Sequence, residues 1–205
     1  MNFLFFDWCV EKDIITGDES WIFGYYPEKS KWCKKEENTP KKRKIFKGKK
    51  VMISVFFSSS GFKCIQFLPS NTKYNKQYFI NVILPDISSS SIDSSDSRKK
   101  KPWILHFDNA KPHTAKESKI KIEQLGFIEM PHPPYSPDIS PCDFWLFGKL
   151  KQELCGMEVK NRDEIIKCTE KILQKITKKE IKSVYSHWIK RLKYVIEHQG
   201  EYYQK

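Results

Sequence analysis

The sequence lacks the long apolar stretch that a membrane-spanning helix needs, since it contains no run of 18 apolar residues. Its short apolar N-terminus, MNFLFF, has no basic region in front of it and no small-residue cleavage site behind it, so no secretory signal peptide is predicted. The 6 cysteines include no Cys-x-x-Cys pair, which argues against a zinc ribbon and a disulfide framework. We therefore expect reduced thiols in an intracellular protein.

Positive charge is what the sequence has in excess. Its 205 residues carry 37 Lys and Arg against 25 Asp and Glu, which gives a net charge of +12. Such a surplus favours polyanionic partners, nucleic acid among them. Because lysines greatly outnumber arginines, an AT-rich genome would produce the same composition, and charge alone leaves nucleic-acid binding undecided.

The predicted strands and helices follow one another in an order that indicates a mixed sheet with helices packed on it. We predict first a strand around Asp18, a hairpin over 51–68, a helix over 75–87 and a mobile loop over 88–97. A buried strand over 103–108, a helix over 114–125 ended by Gly126, a strand over 127–130 and a stiff loop over 131–141 are predicted to follow. Helices with N-caps at Ser140, Asn161 and Thr177 complete the chain. We expect a core over residues 1–155 and C-terminal helices over 156–205 that pack on it or extend it.

Three aspartates stand out because of their positions relative to the predicted strands and helices. Asp18 ends or interrupts one apolar strand, Asp108 terminates a second, and Asp143 lies in the first turn of a helix behind a proline-rich loop. If the two strands are neighbours, their carboxylates emerge side by side and the third can close a site. Clustered carboxylates raise one another's pKa, and hard divalent cations such as Mg²⁺ relieve that repulsion. A pair of such ions supports phosphoryl transfer on a DNA backbone.

Each of these acids also has a purely structural interpretation. Asp18 follows a glycine, as turn residues often do, and Asp108 can begin a loop and cap the next helix. Asp143 fits the third helical position of a capping box that begins at Ser140. Position in the sequence alone does not decide between a metal site and three separate structural roles.

Three blocks of sequence around the acids resemble the mariner family of DNA transposases. The blocks are TGDESW at 16–21, HFDNAKPHTA at 106–115 and HPPYSPDISPCD at 132–143. They occur in the family's order, and the 34 residues between Asp108 and Asp143 match the family's characteristic spacing. The likeness runs from about residue 13 to the C-terminus, where Trp188 and the GEYY segment at 200–203 also match.

The resemblance implies a ribonuclease H-like fold, which is an α/β mixed sheet flanked by helices, here with a C-terminal helical segment. It implies two Mg²⁺ or Mn²⁺ ions held by the catalytic residues Asp18, Asp108 and Asp143, and no organic cofactor. The implied reaction is hydrolytic cleavage of DNA at transposon ends, followed by attack of the freed 3′-hydroxyl on target DNA. Transposon ends and target DNA are the implied partners, a homodimer is the implied assembly, and the nucleus is the implied location.

The matching blocks also carry residues to which the resemblance gives supporting roles. These residues are Glu19, Asn109, His113, Tyr135, Ser136, Pro137 and Asp138. Asn109 and His113 would position DNA or metal-bound water, with helix capping and packing as the structural alternatives. The loop over 135–138 would position the active site or paired subunits, or it is a structural turn, and Asp138 is an alternative metal ligand. A zinc site at His106 and Asp108 lacks a third ligand at helical spacing.

Two basic runs are predicted to contact DNA phosphates. The first comprises Lys41, Lys42, Arg43 and Lys44, and the second comprises Arg98, Lys99, Lys100 and Lys101. The first run also resembles a nuclear import signal. Either run is equally explained as a solvated, charged loop.

Two departures from the family's pattern bear on activity. Members usually carry an N-terminal region with helix-turn-helix units that read the inverted repeats, and no counterpart precedes Asp18 here, so recognition of specific transposon ends is an open question for this sequence. The family's hairpin usually carries tryptophans and an acid before its glycine, whereas this one reads FFSSSG over 56–61. Two alternatives to an active transposase follow: a catalytically lapsed, truncated remnant that binds DNA or dimerises, and a structure-preferring nuclease without end specificity.

Overall fold

A five-stranded sheet with strand order β3-β2-β1-β4-β5 lies at the centre of the molecule. The computed structural model describes residues 14–27, 49–91, 102–157, 159 and 161–203. The strands are β1 (Ile14–Phe23), β2 (Lys50–Ser58), β3 (Gly61–Phe67), β4 (Ile104–His106) and β5 (Ile128–Met130). β1, β2 and β3 pair antiparallel, whereas β4 and β5 run parallel to β1. The predicted mixed sheet and the predicted hairpin are both confirmed.

Apolar side chains on both faces of β2 explain why this strand lies inside the sheet. Val55 and Phe57 belong to one buried cluster, whereas Phe56 belongs to a second cluster on the opposite face. Successive side chains of a strand alternate between faces, so a continuous apolar run requires cover on both sides. The helices supply that cover in two layers.

One layer contains a continuous helical segment over residues 76–91. It consists of α1 (Lys76–Tyr78), a π-helical turn (Phe79–Ile83) and α2 (Leu84–Ser91). The helix predicted over 75–87 is therefore confirmed, but the loop predicted over 88–97 is wrong for its first four residues. The hydroxyls of Ser90 and Ser91 donate to the carbonyl oxygen of Ile87, so these serines are satisfied within the helix. Residues 92–97 lie outside the described part of the chain.

The same layer contains two short helices, α3 (Lys111–Thr114) and α4 (Lys116–Gln124). The first of them begins three residues before the predicted start at residue 114. The extended backbone of Ala115, with ψ of 141°, separates α3 from α4. Gly126 has φ of +77° and ends α4 as predicted, because this left-handed conformation suits a residue without a Cβ atom. The chain then enters β5.

The other layer contains the C-terminal helices. The stiff loop before it includes a short 3₁₀ turn (Pro137–Ile139), and the first helix begins with a π-helical turn (Cys142–Leu146). The α-helices are α5 (Phe147–Glu153), α6 (Arg162–Lys175) and α7 (Lys178–Glu197). The predicted N-caps at Asn161 and Thr177 are confirmed, since each side chain accepts from the backbone N–H of the residue three positions later. In the described part of the chain, no helix is long and apolar enough to cross a bilayer.

Helix α7 packs against the sheet and against the loop that precedes α5. The hydroxyl of Tyr185 lies 3.0 Å from the carbonyl oxygen of Ile14 and 2.8 Å from that of Phe57. Trp188 is 1% exposed, and its Nε1 donates to the carbonyl oxygen of Ile139 at 2.7 Å. The C-terminal helix thus fixes both the middle of the sheet and the loop leading to Asp143. The division of the chain at residue 155 stays a prediction.

Candidate active site

Two of the three aspartates lie at the same edge of neighbouring parallel strands. Thr16 of β1 pairs with His106, the last residue of β4, so Asp18 and Asp108 each follow this pair by two residues. The sequence left open whether Asp18 ends or interrupts its strand, and the structure places Asp18 within β1, which continues to Phe23. Its pairing with β2 runs from Ile15 to Phe23, whereas its described pairing with β4 stops at Thr16. Asp18 therefore stands where β1 loses one neighbour.

Asp143 enters the same region from the π-helical turn that begins the C-terminal layer. Its backbone N–H donates to the carbonyl oxygen of Ser140 at 3.0 Å, and the hydroxyl oxygen of Ser140 lies 3.4 Å from the same nitrogen. The N-cap predicted at Ser140 is not confirmed, because Pro141 precedes the π-helical turn and no side chain caps it, although the Ser140 hydroxyl lies near the expected nitrogen. The side chain of Asp143 is exposed.

A cleft of about 410 Å³ lies between Asp108 and Asp143. Its walls also contain Asn109, His132 and the exposed loop around Tyr135. Tyr135 is 91% exposed and has a left-handed backbone with φ of 55°. Ser136 and Pro137 line the cleft beside it. Asp18 does not form part of the cleft wall and is more deeply buried than the other two aspartates.

Burial and the charges of neighbouring acids shift the pKa of Asp18. Burial, followed by the negative charges of Glu19 and Asp143, raises the pKa of Asp18 to about 8, and Asp108 adds to this effect. Partial removal of water from its carboxylate by surrounding atoms, together with the charge of Asp108, also raises the pKa of Asp143. Neighbouring carboxylates disfavour each other's ionisation, and a bound cation would reverse this effect by favouring the ionised form of each.

The pKa of Asp108 shifts in the opposite direction to those of Asp18 and Asp143, because Asp108 contacts His113. The Nδ1 atom of His113 is 3.0 Å from Oδ1 of Asp108, and this hydrogen bond lowers the pKa of Asp108. The Nε2 atom of His113 is 3.6 Å from Oε2 of Glu19. Burial opposes a charge on the imidazole, but Asp108 and Glu19 together raise the pKa of His113 to about 10. His113 is therefore a buried cation between two acids.

Glu19 and Asp138 make contacts that leave them outside the cleft wall. Glu19 accepts a hydrogen bond from the hydroxyl of Ser54 at 3.0 Å. Asp138 accepts from the backbone N–H of Tyr203 through Oδ2 at 2.9 Å, and its carbonyl oxygen accepts from Arg191 at 2.7 Å. Asp138 thus connects the loop before Asp143 to the C-terminal segment.

Asn109 does not form the helix cap that was its structural alternative. Its Nδ2 donates to the carbonyl oxygen of His132 at 2.8 Å, and the N–H of Ala110 is bound by Asp108 instead, at 3.0 Å. His106 is not free to hold zinc, because Thr16 and His132 occupy its two ring nitrogens. His132 was missed as a site residue, and its place at the start of the third sequence block was the available signal. The basic runs at 41–44 and 98–101 lie outside the described residues.

The distances between these side chains and the types of their ligand atoms bear on whether they can bind a divalent cation. Among the described residues, no three Asp, Glu, His or Cys side chains are already gathered closely enough to hold one metal ion. The donors are nevertheless carboxylate oxygens, which Mg²⁺ and Mn²⁺ prefer. Burial first, and then the negative charges of Glu19, Asp143 and Asp108, raise the pKa of Asp18, and a bound cation would oppose that shift. The donor set therefore fits a hard cation in its chemistry, and the side chains would have to come closer together to bind one.

Comparison with known sequences links the chain to DNA transposases. Residues 24–101 match the family described as "Transposase (partial DDE domain)", a range that lies between Asp18 and Asp108. The histone-lysine N-methyltransferase SETMAR of Homo sapiens is 30% identical over 182 residues, which cover 87% of this chain and 26% of that protein. The mariner Mos1 transposase of Drosophila mauritiana is 31% identical over 160 residues, which cover 75% of this chain and 46% of that protein. The chain thus spans less than half the length of these curated relatives.

Comparison with solved structures bears on the fold. The Mos1 mariner paired-end complex with Mn has a TM-score of 0.85 and 23% identity, over 98% of this chain and 61% of that one. The catalytic domain of Mos1 mariner transposase has a TM-score of 0.74 and 21% identity, over 93% of this chain and 84% of that one. The ribonuclease H-like mixed sheet flanked by helices that the sequence blocks implied is therefore confirmed.

Proposed function

The chain belongs with the mariner-type transposases in sequence and in fold, and from this premise we propose that it catalyses divalent-metal-dependent cleavage and transfer of DNA strands. Asp18, Asp108 and Asp143 are the catalytic residues in this proposal, and they hold two Mg²⁺ or Mn²⁺ ions. When bound, such ions activate the attacking oxygen and stabilise the leaving one at a phosphate. The single observation that supports the proposal is that Asp18 and Asp108 each follow the paired residues of two neighbouring parallel strands by two positions, with Asp143 lining the same cleft as Asp108.

The chain's own residues supply the positioning that phosphoryl transfer needs. His113 holds Asp108 by a hydrogen bond of 3.0 Å, and this contact lowers the pKa of Asp108 and so favours its ionised form. Ser140 orients the backbone of Asp143 at the start of its helix. Asp18 lies within β1, where the backbone pairs with β2. A rigid scaffold of this kind suits a reaction in which alignment provides much of the rate enhancement.

DNA is the substrate class that the chain's charge favours. A net charge of +12 attracts a polyanion, and the two basic runs at 41–44 and 98–101 are the proposed phosphate contacts. Mos1 structures include a paired-end complex with the left transposon end. By extension from that relative, transposon ends and target DNA are the proposed partners, and a homodimer is the proposed assembly. The proposed location is the nucleus, with run 41–44 as its import signal.

A second candidate function is a DNA-binding remnant that no longer cleaves. One observation favours it: within the described part of the chain, no three potential ligands already stand at metal-binding distances. The side chain of Asp143 is exposed. An active site would differ from this remnant in that Asp143 moves toward the other two acids when the metal ions bind.

Nicking of supercoiled plasmid in Mn²⁺ tests the proposal. The parent chain is compared with Asp108→Asn, which keeps the shape of the side chain, and with Asp138→Asn, whose carboxylate binds the backbone of Tyr203 outside the cleft. We expect nicking by the parent and by Asp138→Asn, and at least a hundredfold less by Asp108→Asn. DNA binding without any nicking by the parent would support the remnant instead.

A further inference from the structure

A buried chain of hydrogen bonds runs from the centre of the sheet to the cleft. The hydroxyl oxygen of Thr16 lies 2.9 Å from Nδ1 of His106, and Nε2 of His106 lies 3.0 Å from Nδ1 of His132. Thr16 is fully buried and His106 is 2% exposed. Trp188 covers His106, with its ring centroid 4.8 Å from that of the imidazole. Water therefore has little access to the inner end of this chain.

Burial determines which nitrogen of each histidine carries the proton. Among the described residues, His106 is the one partner of the Thr16 hydroxyl, so this hydroxyl has to donate its hydrogen to Nδ1 of His106. His106 then carries its own hydrogen on Nε2 and donates it to Nδ1 of His132. In the reverse arrangement the Thr16 hydrogen would be buried without an acceptor, which costs free energy. His132 is thereby left with its hydrogen on Nε2.

The outer end of the chain of hydrogen bonds lies in the cleft. His132 lines that cleft between Asp108 and Asp143. Asn109, the residue after Asp108, holds the carbonyl oxygen of His132 at 2.8 Å, so backbone and ring are both fixed. Within the described part of the chain, no group accepts a hydrogen bond from Nε2 of His132. An oriented N–H group thus faces the cleft beside two carboxylates.

We propose that His132 is a DNA-binding residue whose Nε2–H donates to a non-bridging oxygen of the phosphate held between Asp108 and Asp143, and that Thr16 and His106 fix the tautomer this requires. The proposal rests on the function proposed above. Carboxylates only accept hydrogen bonds, so an acidic cleft needs a donor to hold a phosphate. A neutral N–H group provides one without adding a positive charge that would compete with cations for the acids.

The tautomer is tested first, because it can be measured without DNA or activity. Long-range ¹⁵N–¹H correlation spectra of the whole chain distinguish an Nε2–H imidazole from an Nδ1–H imidazole. The parent is expected to show Nε2–H for both His106 and His132. In Thr16→Val, which keeps the shape of the side chain but cannot donate, the Nε2–H signals of the two rings are expected to weaken. An Nδ1–H ring at His132 in the parent would overturn the proposal.

Phosphate contact is tested with two substitutions of His132. His132→Gln keeps an N–H donor at a similar distance from the backbone, whereas His132→Leu fills the space without one. Affinity for a short DNA duplex is measured with Ca²⁺, and nicking of supercoiled plasmid is measured with Mn²⁺. His132→Leu is expected to weaken DNA binding about tenfold, as the loss of a hydrogen bond to a charged group does. His132→Gln is expected to recover most of that loss.

The outcomes separate this proposal from the function on which it rests. If the parent nicks DNA and His132→Leu binds and nicks equally well, the contact is wrong while the function stands. If the parent binds but never nicks, and His132→Leu binds more weakly, the strand-cleavage function fails while the phosphate contact stands. Equal binding by both variants and the parent overturns the contact in either case.

Discussion

The Nδ1 atom of His113 lies 3.0 Å from Oδ1 of Asp108, and the imidazole itself is completely buried. Its other nitrogen faces Glu19, so one buried cation separates two acids that the sequence places far apart. Neither acid has another buried cation among its described partners. The charge balance of the site without metal therefore depends on His113.

Replacing His113 with leucine should destabilise the protein strongly. The substitution removes the cation and leaves Asp108 and Glu19 facing an apolar side chain, and breaking a buried ion pair in this way costs about 3–5 kcal/mol. Urea unfolding of the parent and of His113→Leu measures the difference. A double variant, His113→Leu with Glu19→Gln, should recover part of the loss because one of the two unpaired charges is gone. A change of less than about 1 kcal/mol in the single variant would contradict the ion-pair account.

Asp18 should make the metal-free protein less stable as the pH rises. Its pKa is about 8 in the folded chain and 3.8 as the ordinary value, so the folded state binds its proton more tightly. The resulting stability is fully present below pH 3.8 and is lost as the pH rises through about 8. Unfolding in EDTA between pH 5 and 9 should show this decline in the parent and a shallower one in Asp18→Asn. Identical slopes for the two proteins would refute the role of Asp18.

Gly17 should tolerate no side chain, because Phe56 of the neighbouring strand packs over it. A Cβ atom at Gly17 would lie 2.0 Å from Cδ1 of the Phe56 ring, which is fully buried. Overpacking of this kind costs about 1–3 kcal/mol, so Gly17→Ala should unfold at lower urea. The matched control is Gly148→Ala in α5, where a Cβ atom meets nothing within 4 Å and alanine favours the helix. Combining Gly17→Ala with Phe56→Leu should restore part of the stability, and no restoration would exclude the ring as the cause.

Arg191 should stabilise the loop that leads to Asp143. Its guanidinium carbon lies 4.0 Å from the ring centroid of Phe144 and 4.7 Å from that of Tyr203, and it donates to the carbonyl oxygen of Asp138. Lysine keeps the charge but not the planar stacking, so Arg191→Lys should lose about 1–2 kcal/mol. Thermal unfolding measures this loss of stability. Arg191→Met, which also removes the charge and the hydrogen bond to Asp138, measures how much these two contribute to stability. If both variants melt with the parent, the contacts of Arg191 do not hold the loop.

The elements that the sequence predicted well are those fixed by local hydrogen bonds. Gly126 ends its helix, and Asn161 and Thr177 begin theirs, because each pattern involves residues only a few positions apart. The end of α2 at Ser91 was missed because the serine hydroxyls bond within the helix, whereas composition alone indicated a loop.

What depends on residues distant in sequence was less accessible. The point at which β1 loses one neighbour near Asp18 follows from its pairing with β4, which stops at Thr16, and no pattern within β1 reveals it. The role of His132 follows from contacts with His106 and Asn109, which are 26 and 23 residues away. The three acids themselves were singled out by sequence blocks, and their roles as metal ligands stay predictions.

Counting bound Mn²⁺ ions tests the central claim most directly. Electron paramagnetic resonance of free Mn²⁺ gives the stoichiometry and affinity for the parent and for Asp18→Asn, Asp108→Asn and Asp143→Asn. Asp138→Asn is the matched control, since its carboxylate binds the backbone of Tyr203 instead of lining the cleft. The account predicts two ions per chain for the parent and the control, and at most one weakly bound ion for each of the other three variants. Binding by all three that equals the parent in number and affinity would contradict a metal site formed by these aspartates.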